Sequence, residues 1–137
     1  NILHFEETVI FTGDFNEPSH LDWTAAAAEA GLYPLKVAYP TSKQVAKIGL
    51  KDAFRELFPD PVAAPGFTWP AGTYPDSPNS SVADPADRID FVYFAGKKVR
   101  VKNVQRLGED EATSDMAFAK YPSDHRAVLA TFELDGA

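Results

Sequence analysis

The chain has 137 residues, 45% hydrophobic and 12% aromatic, which is the length of one ordinary domain with enough apolar mass for a packed core, so a disordered polymer is excluded. Its formal charge of -7 opposes general affinity for a polyanion, because nonspecific nucleic-acid binding depends on Lys and Arg neutralising phosphates. Cysteine is absent, which removes disulfides, thiolate metal sites and cysteine nucleophiles, and no apolar run of about 18 residues is present to span a membrane.

In chain order, Val9, Ile10, Phe11 and Thr12 form a short run of strand formers closed by Gly13, which predicts a buried strand. Ser19 with Asp22 three residues later predicts a helix start, followed by Trp23 and the alanines 25 to 28, with Gly31 as the stop. In GLKDAFRELFPD, the residues Leu50, Phe54, Leu57 and Phe58 share one helical face and Pro59 ends the pattern, which predicts a second, amphipathic helix. Residues 70 to 87, with four prolines, read as a long loop of the kind that carries function or moves.

Three strands are predicted after it: Ile89 to Phe94, Val99 to Arg106, and His125 to Leu134. Lys97, Lys98, Arg100, Lys102 and Arg106 alternate along the middle one, which reads first as the wet face of a strand. Glu109, Asp110, Glu111 and Asp115 form an acidic loop beyond it. A strand, two helices and three strands predict a single α/β layered domain whose late strands pair antiparallel. The first residues lack the basic, apolar, small-residue order of a secretory leader, so a soluble chain is expected.

Three segments place polar groups where apolar strands begin or end: Asp14 and Asn16 in GDFN, Arg88 and Asp90 in DRIDFVYF, and Asp124 and His125 in YPSDHRAVLATF. Singly, each has an ordinary explanation as a cap, a turn former or an ion pair such as Asp90 with Arg88. Together they supply carboxylates, an amide and an imidazole, the groups that a metal-assisted phosphate hydrolase needs. Asp oxygens suit a hard cation such as Mg²⁺, a carboxylate can orient or deprotonate a water, and a histidine beside a carboxylate is held in one tautomer. The Asp-x-Asn spacing is expected to project alternate strand-end residues to one side.

GDFN, GFTW, RIDFVY and SDHRAV, in this order and at these distances, resemble the C-terminal half of the endonuclease/exonuclease/phosphatase superfamily, whose members are similar to deoxyribonuclease I. The resemblance runs from residue 9 to about 134. It implies part of a four-layer αββα sandwich, mostly antiparallel, with helices on one face of the sheet. It also implies that Asp14 positions the water nucleophile, that Asn16 holds the phosphate or that water, and that His125, oriented by Asp90, meets the phosphate as charge develops. By the same resemblance Asp124 contributes to a site for Mg²⁺ (or Mn²⁺ or Ca²⁺), Arg88 touches the phosphate or Asp90, and Trp69 lies beside the substrate, with ion pairing and packing as the respective alternatives. His20 and Asp22 follow GDFN closely enough to touch substrate, although helix capping also explains Asp22.

Family members of this kind carry an early Asn, a metal-binding Glu and a central His or Tyr ahead of GDFN, and none of these motifs precedes it here. The chain is therefore expected to cover the C-terminal portion of one such domain and to expose an apolar sheet face, which an N-terminal half, a second copy or another partner would cover. Three functions follow as expectations: a metal-dependent phosphodiesterase or phosphatase, a nuclease disfavoured by the acidic balance, and a noncatalytic interaction module. Freedom from cysteine and the proline-rich polar loop suit an exported bacterial enzyme, and Asn79-Ser80-Ser81 fits a glycosylation triplet that is common by chance.

Overall fold

Strand β1, Val9–Asp14, runs two residues past the apolar run and ends on the first candidate site residue. It pairs antiparallel with β3, Asp90–Ala95, in a register that sets Asp14 opposite Asp90. The short strand β2, Lys51–Asp52, lies on the other side of β3, so the first sheet has the order β1-β3-β2. A computed structural model describes residues 6–71 and 86–135; most of the predicted loop, with the Asn79 triplet, and His4 lie outside the described residues.

The second sheet has the order β5-β4-β6, in which β4 (Val99–Gly108) pairs antiparallel with β6 (Ala127–Leu134) and parallel with β5 (Met116–Ala117). A register shift between Val101 and Asn103 lets Val99, Val101 and Val104 all turn inward although their spacing breaks strict alternation. Their opposite neighbours Arg100 and Lys102 face water, as the alternation predicts, and are paired to Glu133.

The two sheets pack on each other within this chain. Val92 and Phe94 of β3 meet Val99, Val101 and Val104 of β4 and Val128, Ala130 and Phe132 of β6, with Ala53 and Phe54 at the margin. The inward faces of these two sheets are thus covered by each other, with Val92, Val128, Ala130 and Phe132 partly buried. The edge strands β1 and β6 carry exposed apolar side chains: Ile10 and Phe11 on β1 are 46% and 44% exposed and Leu129 and Leu134 on β6 are 47% and 51% exposed.

Helix α2, Pro40–Lys47, covers the outer face of the first sheet through Val45, which packs with Leu50, Phe91, Tyr93 and Ala95. This helix has no apolar stripe to announce it, since only Ser42 and Val45 are buried; Pro40 at its first turn was the available signal. Leu50 belongs to this cluster and precedes helix α3, which is only Ala53–Leu57 and is capped by Asp52. Helix α1, Ala25–Glu29, begins later than predicted: Thr24 is its N-cap, and Gly31 follows its end at φ 78. The described residues thus form a mixed α/β sandwich of helices, sheet and sheet.

Asp22 is not a cap. It is fully buried and joins Asp52, Arg55 and Arg88 in a charge-balanced quartet beneath the first sheet. Arg55 Nε donates to Asp22 at 2.7 Å, while Arg88 donates to both carboxylates at 2.6–3.1 Å. Burial opposes the charge on Arg88, but Asp22 and Asp52 outweigh it and hold the guanidinium above its ordinary pKa.

Candidate active site

Where β1 ends, Phe15 donates its backbone N–H to Ile89 O at 2.9 Å and sets its ring edge-on against Phe91 and Tyr93. This anchor turns the chain sharply. Asn16 adopts φ 48, a left-handed conformation that Asn tolerates better than most residues, and its backbone N–H donates to Asp14 Oδ1 at 2.8 Å. The expected strand alternation is therefore replaced by a turn: Asp14 closes the strand and Asn16 follows in a left-handed bend. Both side chains are exposed at the same end of the sheet.

Opposite Asp14, the half-buried Asp90 opens β3, and its Oδ2 lies 2.9 Å from His125 Nδ1. An ionised carboxylate only accepts, so Nδ1 carries the proton and donates it to Asp90. Asp14, Asp90 and His125 each place a ligand-capable atom within 4.8 Å of the others. Burial works to lower the His125 pKa, but the hydrogen bond to Asp90 and the charges of Asp90, Asp14 and Asp124 outweigh it, so the net direction is upward from 6.5.

His125 is held from both sides. Its N–H donates to Ser123 Oγ at 3.0 Å, and the next residue, Arg126, donates its N–H to Thr68 O at 2.7 Å. Arg126 is 5% exposed and its side chain is fixed by Glu109 and by Phe67 O. Thr68, from the GFTW stretch, is 0% exposed and accepts through Oγ1 from the N–H groups of Ile89 and Asp90. No signal in the sequence marks Thr68 as the residue that joins these segments, because the three segments meet only in the fold.

Asp124 is exposed next to His125 and adds to its electrostatic field, but stands outside the three-residue group; its carbonyl accepts from Ala71 N–H at 2.6 Å. Arg88 is 2% exposed and committed to Asp22 and Asp52, so its expected contact with phosphate or with Asp90 is replaced by the structural alternative, with different partners. Trp69 is half-buried and exchanges backbone hydrogen bonds with Asp87 at 2.9 and 2.7 Å. His20 is turned to Ser42, with Nδ1 2.8 Å from Ser42 Oγ, and lines a separate cavity of about 320 Å³ with Lys51, Glu56 and Tyr93.

For a hard dication, the donor chemistry fits in part. Two carboxylates converge at the sheet end, as Mg²⁺ or Ca²⁺ requires, whereas His125 Nδ1 is occupied by Asp90 and is not free to ligate. Asp14 and Asp90 are the residues that would hold such an ion.

An α/β sandwich with a carboxylate–imidazole pair and a second carboxylate at the end of its first sheet defines a class of proteins before any comparison is made. Comparison places the chain in it: residues 1–125 match the Endonuclease/Exonuclease/phosphatase family, and the chain belongs to that family. An uncharacterised protein of Caenorhabditis elegans is 35% identical over 132 residues, covering 93% of this chain and 41% of that protein. The chain thus spans well under half the length of this relative.

Proposed function

We propose that this chain is the C-terminal portion of a metal-dependent phosphoester hydrolase domain, acting as a phosphodiesterase or phosphatase. The observation that carries the reading is the Asp90–His125 pair set within 4.8 Å of Asp14 at the end of the sheet. Asp14 positions the attacking water. Asn16, turned outward beside it, donates its side-chain amide to a phosphate oxygen. His125 in its imidazolium form donates to the phosphoryl group as negative charge builds, and Asp90 holds the ring and favours that charged form. Trp69 flanks the substrate.

A divalent cation, Mg²⁺ or alternatively Mn²⁺ or Ca²⁺, would be held by Asp14 and Asp90, with the charge of Asp124 nearby, and would supply neutralisation of phosphoryl charge. The remaining ligands come from outside these residues. We assign them to an N-terminal half or a partner chain that also pairs with the open edges of β1 and β6, where apolar side chains are exposed.

A nuclease reading is weakened by the fate of the basic stripe. Arg100 is paired with Glu133 and Asp135, Lys102 with Glu133, Lys97 with Glu6 and Arg106 with Asp115, so of the stripe's five cations four have an acidic neighbour and Lys98 has no ion pair among the described residues. The deciding experiment is hydrolysis of an activated phosphodiester by the intact protein with Mg²⁺, alongside a chelator and His125→Ala. We expect chelation to abolish turnover and His125→Ala to lower kcat by about 10²–10⁴-fold. Wild-type turnover by His125→Ala would remove that residue from the mechanism.

A further inference from the structure

We propose that Thr68 is the positioning residue of the Asp90–His125 pair, joining through one side chain and one backbone carbonyl the two chain segments that carry its members. Asp90 starts a strand and His125 ends a loop, 35 positions apart, and the hydrogen bond between them spans 2.9 Å. A pair of that length depends on both backbones being fixed, since a shift of about 1 Å on either side breaks it.

Thr68 fixes both. Its Oγ1 accepts from Ile89 N at 3.0 Å and from Asp90 N at 3.2 Å, satisfying the two amides at the start of β3. Its carbonyl accepts from Arg126 N at 2.7 Å, directly after His125, and its own N–H donates to Asp87 O at 2.9 Å. All this takes place at 0% exposure, where an amide left without a partner is costly. A serine would keep the acceptor, and a valine would keep the shape while removing it.

The substitution Thr68→Val leaves the backbone bonds to Asp87 and Arg126 in place and frees only the amides of Ile89 and Asp90. Asp90 then moves relative to His125. The first measurement is the His125 Nδ1–H proton in the ¹⁵N NMR spectrum of the intact protein, assigned through His125→Ala. It should be resolved in the wild type and in Thr68→Ser, and shifted or lost to exchange in Thr68→Val. A resonance unchanged in folded Thr68→Val overturns the proposal. So does failure of Thr68→Val to fold, which would make Thr68 a general core bond.

The kinetic consequence rests on the phosphoesterase reading. Thr68→Val should lower kcat by about tenfold with KM little changed, and Thr68→Ser should restore it. A protein silent toward every phosphoester defeats the functional reading alone, since the Nδ1–H resonance still decides the role of Thr68.

Discussion

Replacing Arg88 with methionine tests the quartet that underlies the site. Arg88 is 2% exposed and donates four hydrogen bonds to Asp22 and Asp52, each carboxylate itself about 1–2% exposed. Methionine fills similar volume but leaves two buried carboxylates with Arg55 as their sole cation in the quartet, and breaking a buried pair from one side costs about 3–5 kcal/mol. That is a large share of the roughly 5–15 kcal/mol that stabilises a domain. With a urea slope of about 2 kcal/mol per molar, the unfolding midpoint should fall by about 2 M. The assay is urea denaturation followed by tryptophan fluorescence, with Lys51→Met as control. Lys51 pairs with Glu56 at 59% and 43% exposure, and losing such a surface pair should leave the midpoint nearly unchanged. The reasoning is refuted if Arg88→Met shifts the midpoint no more than Lys51→Met does.

Activity that depends on the His125 imidazolium should decline as pH rises through the folded pKa, which lies above 6.5. Asp90→Asn keeps an acceptor for Nδ1–H but removes the Asp90 charge that raises it, leaving burial opposed only by the neutral hydrogen bond and the charges of Asp14 and Asp124, so the alkaline limb of kcat/KM should move to lower pH; a limb that stays fixed would detach Asp90 from His125. Gly66 has φ +72, and a Cβ there would overlap the Phe54 ring and come within 3.2 Å of Arg88 Cδ, so Gly66→Ala should cost about 1–3 kcal/mol. Gly31→Ala, at φ +78 with nothing within 4 Å, isolates the backbone strain, and thermal unfolding should show the smaller loss there.

The residues that form the site were legible in the sequence because each sits beside a strand pattern that local chemistry dictates. The run VIFT, closed by Gly13, put Asp14 at a strand end, and IDFVYF put Asp90 at a strand start. The family motifs added His125. Gly31 marked the end of α1 by adopting a left-handed conformation that its missing Cβ permits. Such signals depend on neighbours along the chain, and a sequence displays its neighbours.

What only the tertiary structure decided was where charge and packing meet across long separations. Arg88 stands two positions from Asp90, and sequence proximity made that pairing natural; Arg88 instead precedes the strand and is buried, where Asp22 and Asp52 compensate it. Packing of β3 on β4 and β6 gave the inward valines partners within this chain, because the same apolar side chains serve either a partner half or a sheet of the same chain. Thr68 shows no chemistry of its own in GFTW. Its meaning comes from three segments brought within hydrogen-bond reach at a buried point, where every amide must find an acceptor and this residue supplies it.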